Sequence, residues 1–225
     1  MSSVAIIPAR GGSKRIPLKN IKPFMGRPII EYSVRAALES GLFDEVMVST
    51  DDEQIAKIAV AAGAKVPFLR SAATSTDHAG LAEVIDEVLA TYASMGLKFD
   101  SWCCILSTAP FVDAELLRRT FKTFTEGGFD TLRPVVRFDY PIQRAFRMDR
   151  DGRVSFMYPE FAAARSQDLE KAYHDSGLFY WGTSEKGFKS SRWGAVEIDA
   201  MYCQDIDTPE DWKMAELKYS LLSSK

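Results

Sequence analysis

Two features of this 225-residue chain combine residue type and spacing in a way that can do chemistry. The first is the run Pro8-Ala9-Arg10-Gly11-Gly12-Ser13-Lys14, which continues through Arg15-Ile16-Pro17-Leu18-Lys19-Asn20. Paired glycines let backbone N–H groups approach an anion with no Cβ in the way, and Arg10, Lys14 and Lys19 add donors and positive charge. Such a loop suits a polyphosphate. It is neither a Walker A loop, which ends in Gly-Lys-Ser/Thr at fixed spacing, nor a GxGxxG dinucleotide fingerprint. The second feature is Asp205-Ile206-Asp207. In an extended segment, residues two apart face the same side, so both carboxylates can meet one Mg2+ while Ile206 packs inward. Magnesium favours one or two carboxylates, with substrate phosphates completing its shell.

A third group lies in mid-chain, in Tyr140-Pro141-Ile142-Gln143-Arg144 and Tyr173-His174-Asp175-Ser176-Gly177. Arg144 can grip a carboxylate as a bidentate fork, and Gln143 or His174 can bind hydroxyls or an amide. The alternative makes Arg144 and Asp175 a structural ion pair and the aromatics core. His78 reads as a surface or helix-end residue. With no cysteine nearby, His78 and His174 do not make a transition-metal site, and Ser13 lacks a base that would make it a nucleophile.

These residues need a scaffold, and the apolar pattern supplies one. Val4–Ile7 is a short continuous apolar run, as in a parallel strand buried on both faces, so the glycine-rich loop leaves the carboxyl end of the first strand. Pro28 opens a helical pattern that closes at Gly41. Glu45–Ser49 reads as a strand, with Thr50 or Asp51 capping a helix that Gly63 ends. A short strand is expected at Val66–Leu69, a helix over His78–Met95, a strand at Trp102–Leu106, a helix from Asp113 to Thr125 and a strand at Thr131–Val136. From about Arg137 to Tyr173 the rhythm breaks into aromatics, arginines and turn residues, which indicates an insertion. Strand patterns resume at Gly177–Gly182 and Ala195–Ile198. A terminal helix starts at Thr208-Pro209-Glu210-Asp211, where Thr208 caps, Pro209 takes the first turn and Asp211 completes a box. Alternating strands and helices predict a three-layer α/β fold with a mostly parallel sheet, here one domain over residues 1–225.

Composition narrows the ligand. Hydrophobic residues make up 46% and charged residues 26%, with 28 Lys and Arg against 31 Asp and Glu, a net charge of −3. That balance argues against a nucleic-acid binder. Yet residues 1–30 carry six basic side chains (Arg10, Lys14, Arg15, Lys19, Lys22, Arg27) and no acid, which leaves −9 on the remainder. A focused positive patch on an acidic protein points to a compact anion. No apolar run has transmembrane length or the layout of a signal peptide, and the 3 cysteines fit neither a disulfide framework nor a zinc pattern. The expected compartment is the cytoplasm, with no membrane partner.

Ala5-Ile6-Ile7-Pro8-Ala9-Arg10-Gly11-Gly12-Ser13-Lys14, with Lys19-Asn20 and Gly26-Arg27-Pro28-Ile29-Ile30, closely resembles the opening of the acylneuraminate cytidylyltransferases, the CMP–sialic acid synthetases. Val48-Ser49-Thr50-Asp51, Val66-Pro67-Phe68-Leu69-Arg70 and Asp205-Ile206-Asp207-Thr208-Pro209-Glu210-Asp211 resemble that family's later motifs. Leu132–Val136, Tyr140–Arg144 and Tyr173–Gly182 are most similar to its pseudaminic acid branch. The resemblance implies a Rossmann-like nucleotide-diphospho-sugar transferase fold that dimerises through the insertion. It implies transfer of CMP from CTP to a nine-carbon acidic sugar with Mg2+. By position, Ala9, Arg10, Gly11, Gly12, Ser13, Lys14 and Lys19 fall to CTP, and Asn20 and Arg70 to its cytidine portion. Asp205 and Asp207 fall to the metal, and Gln143, Arg144, Tyr173, His174 and Asp175 to the sugar. Arg10, Lys14, Asp205 and Asp207 are the catalytic set. The chain departs from the family at Ile105-Leu106-Ser107-Thr108-Ala109-Pro110, where sialic acid synthetases carry Leu-Gln-Pro-Thr-Ser-Pro. Without that glutamine, the resemblance favours a nonulosonic acid of different stereochemistry from N-acetylneuraminate. The rival readings are another sugar nucleotidylyltransferase, and a nucleotide-binding regulator that has lost catalysis.

Overall fold

The computed structural model describes residues 1–223. In chain order it contains β1 (Ser3–Pro8), the short strands β2 (Pro23–Phe24) and β3 (Arg27–Pro28), α1 (Ile30–Ser40), β4 (Glu45–Ser49), α2 (Glu53–Ala61) and α3 (Leu81–Ser94). Then come β5 (Ser101–Ile105), α4 (Ala114–Glu126), β6 (Thr131–Arg137), β7 (Phe146–Met148) and β8 (Val154–Phe156). The chain finishes with β9 (Tyr173–Asp175), β10 (Phe179–Thr183), β11 (Trp193–Glu197) and α5 (Pro209–Ser223).

The central sheet has the order β11-β6-β10-β5-β1-β4, with β9 paired to the outer end of β6. β4, β1, β5, β6 and β11 share one direction, while β10 runs against both its neighbours and β9 against β6. This is the mostly parallel α/β sheet that the alternating pattern predicts. β7 and β8 form a separate two-stranded ladder inside the insertion.

Alternation along β1 sorts the core into layers. Val4 and Ile6 pack with Met47, Trp102 and Cys104 under α3, against Ile85, Val88 and Tyr92. Ala5 and Ile7 face the other way, with Val48, Cys103, Ile105 and Trp181, against residues of α1, α2 and α4. A third cluster ties the first loop to the last helix: Ile16, Phe24 and Ile29 pack with Ile206, Trp212 and Ala215. Ile206 is fully buried, so it turns inward between its two aspartates as the spacing predicts. All three cysteines are buried and free. No helix among the described residues is long and apolar enough to cross a membrane.

Several boundaries differ from expectation. Val66–Leu69 is not a strand. Only Lys65 bridges to Met47, because the edge strand β4 is followed there by a segment that turns away towards Arg70. Asp52, rather than Thr50 or Asp51, caps α2, accepting from the N–H groups of Gln54 at 2.7 Å and Ile55 at 3.0 Å. α3 starts at Leu81, where Gly80 N–H donates to Glu83, so His78 lies in the preceding loop. Thr208 and Asp211 do form the reciprocal box that opens α5.

One glycine in the sheet marks a close approach. A Cβ at Gly182, in β10, would fall 2.1 Å from the Trp102 ring. Overpacking of this kind costs about 1–3 kcal/mol. Gly182→Ala should therefore lower the melting temperature by several degrees, at about 2–4 °C per kcal/mol for a chain of this size. An unchanged midpoint in calorimetry would contradict this packing.

Candidate active site

The carboxyl ends of β1, β4 and β5 open onto a cavity of about 280 Å3. It is lined by Arg10, Ser13, Lys14, Arg15, Lys19, Asn20 and Arg70, by Ser107 and Thr108, and by Asp207. The glycine-rich loop is held down along its length. Ala9 N–H donates to Ser49 O at 2.9 Å, continuing the β1–β4 ladder, and Gly11 N–H donates to the Asp51 carboxylate at 2.9 Å. A Cβ at Gly11 would stand 2.8 Å from Asp52 Oδ2, so only glycine passes the α2 cap at this distance. Gly12 faces open space.

Asn20 and Arg70 brace the floor. Asn20 Nδ2 donates to Arg10 O at 2.8 Å and its Oδ1 accepts from Ser107 Oγ at 2.9 Å, joining the loops after β1 and β5. Arg70 is buried, with Nε donating to Ser49 Oγ at 3.0 Å and Nη2 to Ser49 O. Burial pushes its guanidinium below the usual arginine range, and the Asp51 charge works against that shift.

Four cations and two carboxylates occupy the rim. Asp77, in the loop before α3, receives Arg10 on one oxygen and Lys14 on the other. Asp207 pairs with Arg15 at 2.9 Å and with Lys19 at 3.3 Å. Lys19 also donates to the Ile206 carbonyl at 2.6 Å. Asp205 has its carboxyl raised above the usual range, first by burial and then by the negative charge of Asp207, with Lys19 opposing. Two carboxylates that repel each other beside a polyphosphate-sized basic cavity are a donor set suited to a hard divalent cation. Among the described residues, no group of three or more His, Cys, Asp and Glu side chains gathers as a cage. An ion there would therefore depend on substrate oxygens as well.

The structure places the mid-chain candidates differently. Asp175 accepts from Arg133 at 2.9 Å, from Tyr180 Oη at 3.1 Å and from Gly177 N–H at 2.8 Å. Its ion-pair partner is thus Arg133, and not Arg144. The turn that follows it approaches Asp205, since a Cβ on Gly177 would stand 3.9 Å from Asp205 Cγ. His174 bonds through Nδ1 with Asp175 O and packs on Phe138. The Tyr173 phenol is raised by its hydrogen bond to Glu197. Gln143 and Arg144 do not line the cavity. Gln143 donates to Glu170 O and Arg144 to Ser166 Oγ, both within the insertion. Asp77, Ser107 and Thr108 join the site without having been candidates for it, and Arg15, known only as part of the basic patch, joins them. Position gives the one available signal for Ser107 and Thr108, which follow the carboxyl end of a central strand as the glycine-rich loop does.

Comparison with known proteins identifies the family. A family model described as Cytidylyltransferase matches residues 4–208. The chain is 40% identical to a pseudaminic acid cytidylyltransferase of Campylobacter jejuni, over 98% of this chain and 97% of that protein. It is 32% identical to a CMP-N,N'-diacetyllegionaminic acid synthase of Legionella pneumophila, over 96% and 95% respectively. Among solved structures, a CMP:2-keto-3-deoxy-manno-octonic acid synthetase complexed with CTP has the same fold, with a TM-score of 0.69 at 17% identity over 100% of both chains. A family match across most of the sequence, together with relatives aligned almost end to end, settles the affiliation: this chain belongs to the cytidylyltransferase family.

Proposed function

We propose that this chain transfers CMP from CTP to pseudaminic acid, releases pyrophosphate and works with Mg2+ in the cytoplasm as a homodimer. The observation that carries the reading is the meeting, in one cavity, of the Arg10–Lys19 loop with Asp207, while Lys19 also holds the neighbouring Ile206 carbonyl. The choice of sugar rests on the 40% identity to a protein named for pseudaminic acid, against 32% to one named for a legionaminic acid.

In this mechanism the anomeric hydroxyl of the sugar attacks the α-phosphorus of CTP in line and gives its proton to solvent, while the bond from the α-phosphorus to the α,β-bridging oxygen breaks and pyrophosphate leaves with that electron pair. Positioning and charge neutralisation do most of the work in such transfers. Arg10 and Lys14 offset the charge that grows on the departing pyrophosphate, and the Gly11-Gly12-Ser13 backbone cradles it. Asn20, fixed by Ser107, and Arg70, fixed by Ser49, form the cytidine side. Asp205 and Asp207 would hold Mg2+, which when bound offsets phosphate charge and lowers the pKa of the attacking hydroxyl. Asp175, whose carboxylate holds the Gly177 N–H, is the foremost sugar-side residue, with Tyr173, His174, Gln143 and Arg144 completing the set.

The dimer reading is supported by the insertion's surface. Tyr140 is 86%, Phe146 55%, Met148 73% and Val154 62% exposed, much apolar area on two short strands and their flanks. A monomer rarely leaves a patch of that kind in water. Free, buried cysteines support the reducing compartment.

Asp207→Ala should abolish CTP-dependent pyrophosphate release while leaving the melting temperature near that of wild type, since the side chain sits at the rim. Near-normal turnover would sink the metal assignment. With the wild-type enzyme, pseudaminic acid should be used at a kcat/KM at least about tenfold above N-acetylneuraminic and legionaminic acids, a gap of ~1.4 kcal/mol. Equal turnover of the three would overturn the sugar choice. Sedimentation equilibrium should give twice the 25.1 kDa chain mass.

A further inference from the structure

Asp77 occupies the place where an anionic ligand is wanted. Its two carboxylate oxygens each take one cation, Oδ1 from Arg10 and Oδ2 from Lys14, as two oxygens of a phosphoryl group would. The pairing crosses more than 60 positions of sequence, from the loop before α3 to the loop after β1. Both cations hold the Asp77 carboxyl down to about 2, Lys14 contributing first and Arg10 second. The segment that carries Asp77 is pinned at each end and reaches across in between. At one end Ser71 and Thr74 bond to Glu87 of α3, and at the other Gly80 bonds to Glu83. Ala79 and Leu81, just beyond Asp77, line the same cavity.

The other acid among the rim cations, Asp207, already has a role in the proposed transfer. Asp77 has none, and it covers the two side chains assigned to the leaving pyrophosphate. The pairs are also weak enough to exchange. Lys14 is 79% and Asp77 39% exposed at the side chain, so water and salt screen them. A single negative charge here is outbid by a ligand that brings three or four to the same donors.

We infer that Asp77 is an intramolecular stand-in for phosphate, holding Arg10 and Lys14 together in the empty site and competing with the triphosphate of CTP for them. The inference rests on the cytidylyltransferase reading for its nucleotide, but its core claim concerns any polyphosphate. It makes Asp77 a positioning residue with a selective effect, because a lone phosphate displaces it less readily than a chain of three.

The sign of one measurement tests this. Calorimetric titration of wild type, Asp77→Asn and Asp77→Glu should be run with inorganic tripolyphosphate and with CTP, each with and without Mg2+. Asp77→Asn is expected to lower the Kd of both probes about three- to tenfold, under both conditions, and Asp77→Glu to return it towards wild type. Weaker binding of both probes by Asp77→Asn would overturn the inference, showing that the carboxylate only organises the cations. Weaker binding confined to Mg2+ would also overturn it and make Asp77 a metal ligand. If tripolyphosphate tightens as expected but wild type binds no CTP, the stand-in survives and the nucleotide reading falls. Asp77→Ala supplies the same comparison should Asp77→Asn fold poorly.

Discussion

Lys19 joins the two ends of the sequence. Its ammonium donates to the Ile206 carbonyl at 2.6 Å and reaches Asp207 at 3.3 Å, across 187 and 188 positions. Without that join the basic loop and the acid pair would be two unrelated surface features. The geometry behind it is mainly apolar. Ile206 buries completely in the cluster with Ile16, Phe24, Ile29 and Trp212, so the loop that carries Lys19 and the strand-like segment that carries the aspartates share one small core. Burying Ile206 is worth about 1.5–3 kcal/mol relative to exposure, more than the exposed ion pairs above it can supply. The core sets the positions, and the charges use them.

Charge at the site follows from that placement. The local excess of six basic residues at the start of the chain looks, in sequence, like an unopposed positive patch. In the folded chain four of the six are met by acids from elsewhere, Asp77 on Arg10 and Lys14 and Asp207 on Arg15 and Lys19, while Lys22 and Arg27 lie over the rings of Trp212 and Tyr32. A cavity holding that many unpaired cations would repel itself and bind small anions without discrimination. Paired cations cost less to gather, and they release only to a ligand with more charge than one carboxylate.

Legibility in the sequence tracked the range of the interaction. Helices with local caps, and strands made of continuous apolar runs, stood out because their signals lie within a few residues. The loop after β1 was readable for the same reason, as was the inward turn of Ile206 between its aspartates. Val66–Leu69 carried strand-forming residues, but a strand needs a neighbour, and only Lys65 meets β4. Asp77 carries no local signal, because its partners are set by how the loop before α3 folds back over the loop after β1. Arg133 and Asp175 meet through the pairing of β6 with β9, a strand of three residues whose register no local pattern fixes. Arg144 had the right chemistry for a carboxylate, yet the insertion turns it to Ser166.

The reversed strand β10 explains how the sugar half can reach the nucleotide half at all. In a purely parallel sheet only loops that follow strands arrive at the ligand crevice. β10 runs the other way, so Phe179, near its start, pairs with Ile105 at the carboxyl end of β5, while Thr183 pairs with Ser101 at the far end. The residues just before β10 therefore emerge on the crevice side, which puts Gly177 beside Asp205. The insertion between β6 and β9 hangs from that same rim. It is tied to the sheet through the short β6–β9 ladder and the Tyr173 hydrogen bond to Glu197 of β11, none of whose residues lines the cavity after β1. In the proposed reading the CTP side stays fixed while the acidic sugar changes, and residues 137–175 carry this chain's choice of sugar.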